Sequence, residues 1–328
     1  MKAIAITKHE EPIQLLEKEV PAPSSGECLV KIKYAGLNRR DQWIREGKYP
    51  GIEFGCTLGS DAYGLVVEGS NEWIEKEVLV NPNIDWGNNP EAQSSQYQVL
   101  GMPTDGTLAE YICVPEDRLV DKPEHLTPSE AAALPLAGLT AYRAVFVKGE
   151  ITDNSKVLVT GVGGGVATLA LQFSLAAKAQ VWVTSGEDSK IKKVVKLGAI
   201  GGFNYKESDW IQAASEKIKF DVIIDSAGGD HLNDYLKLAA PGGKIVVYGS
   251  TTGAPKQLDV FRLFWSQVQI IGSTMGNDVE FVEMVDFVTQ KEIRPILDHV
   301  YPMHDYLQAF DRFKNRSSMG KIVLQIPT

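Results

Sequence analysis

The sequence predicts a two-part α/β chain: a β-rich lobe of barrel or sandwich type, then a doubly wound βαβ domain with a parallel sheet. Three observations predict it. Short apolar or alternating runs separated by Pro and Gly fill the first third. From Lys156 onward, strand and helix patterns alternate. The runs DVIID and KIVVYG are continuous and β-branched, as in strands buried on both faces of a parallel sheet.

The elements follow in order. KAIAIT, IQLLEKEV and CLVKIKYAGL read as the first strands, and residues 38–47 as one short helix stopped by Gly47. LGSDAYGLVVEG and EVLVNP continue the strands. Residues 83–107 are rich in Asn, Gly, Pro, Gln and Ser and read as a long loop; LAEYICVP closes the lobe. In HLTPSEAAAL, Thr127 is an N-cap and Pro128 the first helical residue. KVLVTG, QVWVTS, GGFNY, DVIIDSA, KIVVYGS and VQIIGS are the strands of the second domain, with helices between. An amphipathic helix over 278–293 buries Phe281, Met284, Val285 and Val288 on one face. HVYPM, a helix through Phe313 and GKIVLQI end the chain.

Composition excludes several classes. The 328 residues carry 33 basic and 42 acidic side chains, a net charge of -9. That balance repels phosphate backbones, so nucleic acid is not an expected partner. The densest basic cluster, residues 190–196, reads as the polar face of a helix. Three cysteines, Cys28, Cys56 and Cys113, make no CxxC pair, which excludes a disulfide framework and fits a reducing compartment. The N-terminal apolar run is too short for a signal peptide, and none reaches membrane-spanning length. A cytoplasmic protein is expected.

The sharpest motif is VTGVGGGVATLALQ, between a buried strand and a helix. Glycines there let the backbone approach a pyrophosphate, and the helix start offers free amides. Gly163, Gly164, Gly165 and Val166 are the candidate contacts. In a G-x-G-x-x-G/A register the three positions hold Val162, Gly164 and Ala167, so the first glycine is missing. At the end of the next strand, where NAD-preferring folds place an acid, stand Ser185 and Gly186, with Lys190 one helical turn on. A hydroxyl and a cation suit a 2′-phosphate, which favours NADPH over NADH. Glu187 and Asp188 are the competing partners for the ribose. Tyr205, Ser226, Gly249, Ser250 and Thr251 end later strands and complete the candidate nucleotide site.

Beyond this, the chain resembles the medium-chain dehydrogenase/reductase superfamily over its whole length, and most closely its zinc-free quinone oxidoreductase branch. Ala35-Gly36-Leu37-Asn38 with Asp41 resembles the A-G-x-N-x-x-D signature, Gly47-Lys48-Tyr49-Pro50 the G-x-Y-P segment, and Leu58-Gly59-Ser60-Asp61 the P-G-x-D/E turn. Ala137-Gly138-Leu139-Thr140-Ala141-Tyr142 resembles the helix that approaches the nicotinamide. The resemblance implies a GroES-like barrel from residues 1–123 and 273–328, a Rossmann domain from 124–272, and a cofactor bound between them. It places Asn38, Ser60 and Leu136 where the zinc branch has its catalytic ligands, and none is a usual zinc ligand. The loop 83–107, in the region of that branch's four-cysteine lobe, has no cysteine. The five histidines are scattered, without H-x₃₋₅-H spacing. Zinc is therefore not expected.

The implied activity is hydride transfer from NADPH to a small quinone or α,β-unsaturated carbonyl. Asn38 and Thr140 would orient nicotinamide or substrate, and Tyr49 would donate a proton or hold an oxyanion. Met275, in GSTMG, would approach the nicotinamide. Trp43, Phe264 and Trp265 are candidate apolar walls. Two alternatives stay open: an enoyl-thioester reductase, hinted at by Arg39, Arg40 and Arg45 although a solvated helix face explains them equally, and a non-catalytic nucleotide-binding sensor. VQIIGS, as the outer strand, would pair across a two-fold axis in a homodimer.

Overall fold

The computed structural model describes residues 1–315 and 317–327. It divides into two compact units, residues 1–137 with 277–328 and residues 138–276.

The first unit opens with β1 (Lys2–Ile6) and β2 (Ile13–Glu17), an antiparallel pair. β3 (Glu27–Gly36), α1 (Arg39–Arg45), β4 (Asp61–Glu68) and β5 (Glu77–Val80) follow. The expected long loop carries a short antiparallel pair, β6 (Asn83–Ile84) with β7 (Gln98–Val99). Its remainder is held by side chains and backbone: Trp86 Nε1 donates to Asn89 O at 3.0 Å, Ser94 Oγ to Asp85 O at 2.7 Å, and the Ser94 amide to Trp86 O at 2.7 Å. β8 (Tyr111–Pro115), β9 (Leu119–Asp121), α2 (Pro128–Ala132) and α3 (Pro135–Tyr142) complete this stretch. Thr127 caps α2 as expected, and Glu130 Oε2 accepts from the Thr127 amide at 2.8 Å.

The second unit alternates β10 (Lys156–Val159), α4 (Gly165–Ala176), β11 (Gln180–Ser185), α5 (Asp188–Val195), β12 (Gly201–Asn204) and α6 (Trp210–Lys217). It continues with β13 (Phe220–Asp225), α7 (His231–Leu238), β14 (Ala239–Val247), α8 (Val260–Trp265) and β15 (Gln269–Gly272). These six strands form one parallel sheet in the order β12-β11-β10-β13-β14-β15. That is the doubly wound Rossmann order, with the sequence reversing direction beside β10. Val222, Ile223 and Ile224 are at most 5% exposed, so the continuous apolar run is buried on both faces. β15 is an edge strand, as its position in the sequence predicts.

The chain then returns through α9 (Asp278–Gln290), β16 (Leu297–Pro302), α10 (Tyr306–Lys314) and β17 (Lys321–Gln325). The sheet of the first unit runs β16-β17-β3-β4-β5-β9, with β8 also on β3. Val30, Ile32, Ala62, Val66, Ile322 and Leu324 form part of its core, each at most 1% exposed. Each buried Val, Ile or Leu side chain contributes roughly 1.5–3 kcal/mol over an exposed one.

The compact units divide at 137/138 and 276/277, against the expected 123/124 and 272/273. α2 packs on β3, β4 and β17, which carries residues 128–132 with the first unit. The Ser273 amide donates to Val247 O at 2.9 Å, which keeps the segment after β15 on the second sheet. All three cysteines are free thiols. Among the described residues, no helix is long and apolar enough to cross a membrane.

Candidate active site

The C-terminal end of the parallel sheet carries the nucleotide motif. Gly161 sits at φ +63, and its amide donates to Thr184 Oγ1 at 3.0 Å. The Val162 amide bonds Thr184 O at 2.8 Å, and its side chain is buried. The left-handed turn is thus taken one residue before the motif's first position, which is why valine is tolerated there. Gly163 also has positive φ. Gly164 is the N-cap of α4, and a Cβ added to it meets no atom within 4 Å. Ahead of the helix start, with its unpaired first-turn amides at Gly165 and Val166, there is room for a pyrophosphate.

The residues expected to meet the 2′-phosphate lie at and beyond the end of β11. Ser185 is buried, and its Oγ accepts from the Glu187 amide at 3.2 Å. The Tyr205 amide bonds Ser185 O at 3.1 Å, and the Tyr205 ring stands beside Gly186, where a Cβ would strike its hydroxyl. Lys190, read as part of a polar helix face, is instead only 8% exposed and pairs with Glu187 at 2.8 Å. Its ammonium pulls the Glu187 carboxyl below the usual range. Asp188 accepts from Asn204 Nδ2 at 2.9 Å. Both competing acids are therefore engaged.

Sequence reasoning missed Asp225, at the end of β13. Its fully buried carboxylate accepts from Thr160 Oγ1 at 2.6 Å and the Gly228 amide at 2.7 Å. The Tyr235 hydroxyl also bonds it, and burial pushes that phenol well up. The only signal was a lone charge ending an apolar run. Nearby, Thr251 donates through its amide to Ser226 O at 3.3 Å, and Gly249 lies so close to Ser226 that a Cβ would clash with its carbonyl at 2.9 Å. Ser250 Oγ bonds Gly253 O at 3.0 Å. Thr140 Oγ1 lies 3.7 Å from Met275 Sδ, and Met275 adopts a left-handed φ of +43. Just after β15, Ser273 Oγ is buried with no hydrogen-bond partner among the described residues. The open glycine turn and this orphaned hydroxyl fit a dinucleotide.

The first unit holds a separate buried polar centre. Asn38 caps α1, and its amide donates to Asp41 Oδ2 at 2.7 Å. Its side chain is spoken for: Nδ2 donates to Asp61 Oδ2 at 2.9 Å, and Oδ1 accepts from Lys321 Nζ at 2.7 Å. Lys321 also donates to Asp61 Oδ2 and Leu37 O, both at 2.8 Å. Asp61 Oδ1 accepts from the Leu136 amide at 2.7 Å. A Cβ at Gly36 would lie 2.5 Å from Ala132 O, so the backbones meet here only because that residue is glycine. Burial pushes the Asp41 carboxyl up to about 6, against the opposing pull of Arg40.

The reading of Arg39, Arg40 and Arg45 as a solvated face is corrected. α1 is not a free surface helix: Arg40, Asp41, Gln42 and Ile44 are buried, and α10 packs on it. Arg45 pairs with Glu11 and Asp311, and Arg39 lies over Phe313. Arg40 bonds Ser60 Oγ at 2.7 Å and reaches Tyr49 OH at 3.4 Å. Phe264 and Trp265, offered as pocket walls, are 59% and 72% exposed on α8.

A zinc ion can be tested against this centre. Asn38 and Ser60 already serve an ammonium and a guanidinium, and Leu136 has no donor side chain. These residues do not fit a zinc ion. Among the described residues, no group of three or more His, Cys, Asp or Glu side chains could hold a metal.

Fold and site together define a nicotinamide-dependent oxidoreductase with a GroES-like domain and a Rossmann domain. Residues 24–124 match the alcohol dehydrogenase GroES-like domain, and residues 165–290 the zinc-binding dehydrogenase family. The chain is 35% identical to the zinc-type alcohol dehydrogenase-like protein YogA of Leptosphaeria maculans, over 96% of this chain and 95% of that one. It is 28% identical to a quinone oxidoreductase of Mus musculus, over 99% and 97%. A crystal structure of an NAD-dependent alcohol dehydrogenase superposes with a TM-score of 0.94 at 30% identity, covering all of both chains. The chain belongs to the zinc-type alcohol dehydrogenase-like family of the medium-chain dehydrogenase/reductase superfamily.

Proposed function

We propose that this family member is a zinc-independent, NADPH-preferring reductase of quinones or α,β-unsaturated carbonyls. One observation carries the proposal: the Lys321 ammonium hydrogen-bonds Asn38, at one of the positions that would serve a metal, and the neighbouring Asp61. A second cation, on Arg40, binds Ser60. Without a Lewis acid, simple alcohol oxidation is disfavoured, and acceptors that take hydride with modest polarisation remain.

NADPH, when bound, supplies the hydride. Gly163, Gly164, Gly165 and Val166 would receive its pyrophosphate. Ser185, Lys190 and Tyr205 would hold the 2′-phosphate, and the engagement of Glu187 and Asp188 supports that preference. Ser226, Gly249, Ser250 and Thr251 line the same strand ends, while Thr140 and Met275 would orient the nicotinamide. Tyr49 would give the proton that completes reduction. Asn38, its amide oxygen and one N–H held by neighbours, would act chiefly by fixing the start of α1. The enoyl-thioester alternative loses its hint, because Arg40 is buried and Arg45 is paired.

The test is NADPH oxidation followed at 340 nm in EDTA, with benzoquinone, a naphthoquinone, an alkenal and an enoyl thioester. NADH and a primary alcohol with NAD serve as comparison arms. EDTA-resistant turnover of a quinone or alkenal with NADPH is expected. Alcohol oxidation that EDTA abolishes and zinc restores would overturn the proposal; cofactor binding without any turnover would favour a sensor.

We further propose a homodimer through the open edge of β15, whose outer side pairs with no other strand among the described residues. Light scattering should give twice the chain mass of 35.9 kDa; a monomer refutes it.

A further inference from the structure

Arg40 is 8% exposed, yet its charge is met by neutral groups alone in its hydrogen bonds. Nη1 donates to Ser60 Oγ at 2.7 Å and Leu100 O at 2.5 Å. Nη2 donates to Val99 O at 3.3 Å, Met102 O at 3.2 Å and Tyr49 OH at 3.4 Å. All five acceptors are uncharged, and Nε is buried with no hydrogen-bond partner among the described residues. The neighbouring Asp41 carboxylate feels this cation but accepts none of these hydrogen bonds, so the hydrogen-bonding edge of the guanidinium faces neutral groups only, a setting that suits an anion forming or binding nearby. Its centre also lies 5.0 Å from the Tyr49 ring.

We propose that Arg40 is a positioning residue for Tyr49: it aims the phenol and receives, through it, the negative charge that the reduction leaves. This deepens the reading of Tyr49 as proton donor and rests on it. Because Arg40 donates to the Tyr49 oxygen, the hydroxyl proton points away from the guanidinium, free for an acceptor. The hydride that NADPH would supply when bound would form a C–H bond at the β-carbon of an enone, leaving the cofactor oxidised. The displaced electron pair moves onto the α-carbon and oxygen. The Tyr49 O–H bond breaks, its proton bonds the α-carbon, and its electron pair stays on Tyr49 as phenolate. That phenolate lies beside a fixed cation until water returns the proton. Ser60 and the carbonyls of Val99, Leu100 and Met102 keep the cation in place, so Arg40 need not reorganise when the charge arrives.

The experiment is a double-mutant cycle on the full chain, with NADPH and an alkenal at 340 nm. Arg40→Gln should lower kcat about 10- to 100-fold, with KM for NADPH within about twofold of wild type. Arg40→Lys should restore most of the loss, since it keeps the charge. Arg40→Gln with Tyr49→Phe should be no slower than Tyr49→Phe alone. Equal loss from Arg40→Gln in the wild-type and Tyr49→Phe backgrounds would overturn the coupling while leaving Tyr49 as donor. An unchanged kcat in Tyr49→Phe would remove Tyr49 and Arg40 together. If Arg40→Gln does not fold, judged by circular dichroism and NADPH binding, Arg40→Lys is read in both backgrounds, and its loss must vanish when Tyr49 is Phe.

Discussion

The Lys321 ammonium stands 2.8 Å from the Asp61 carboxylate, with the two side chains 3% and 0% exposed. The pair joins β17 to the start of β4 across 260 positions of sequence. Removing either partner strands a buried charge. Lys321→Met should destabilise the protein by about 3–5 kcal/mol in urea unfolding. Lys321→Met with Asp61→Leu should cost clearly less than the sum of the single changes. A loss under about 1 kcal/mol would show the pair to be dispensable.

Asp41 gives a pH signature. Its folded carboxyl titrates near 6 against an ordinary 3.8, because burial opposes the charge. The folded state therefore holds its proton more tightly than the unfolded chain. The associated stability is present below about pH 4 and is lost as pH rises to about 6. The shift corresponds to about 3 kcal/mol. Relative to wild type, Asp41→Asn should gain stability between pH 4 and 7, measured by urea midpoints at both values. A constant difference across that range would contradict the assignment.

Cofactor preference should turn on Lys190. Lys190→Ala removes a charge beside the expected 2′-phosphate and releases Glu187 from its 2.8 Å pair. The ratio of kcat/KM with NADPH to that with NADH should fall at least about tenfold, as for loss of one charged hydrogen bond. An unchanged ratio would move the 2′-phosphate elsewhere.

Gly164 separates folding from binding. An added Cβ meets nothing within 4 Å, and the residue does not need positive φ. Gly164→Val should leave the melting temperature within a few degrees but weaken NADPH binding at least about tenfold, by filling the space ahead of α4. Full affinity, measured by fluorescence titration, would place the pyrophosphate away from this turn.

The doubly wound sheet was legible because its strands, Val222 to Ile224 above all, are apolar on both faces and alternate with helical patterns. The Thr127 cap, the edge position of β15 and the glycine turn were legible for similarly local reasons. What escaped was non-local. Lys321 looks like any strand-end lysine until the fold brings it to Asn38 and Asp61. Arg40 carries a charge on a short helix, which reads as surface unless the carbonyls of Val99, Leu100 and Met102 are known to receive it. The two-residue pairing of β6 with β7 is too short to produce a periodic signal. The first unit's boundary shifted because α2 has no sequence feature that says which sheet it will cover.

Asp225 ties a strand-end threonine, the amide of Gly228 and a helix tyrosine to one carboxylate. These turns are already fastened in the chain alone. On the proposed reading, a dinucleotide binding there would meet a socket whose ordering cost was met during folding, so its capture should be governed by collision and charge and should show little slow isomerisation after contact.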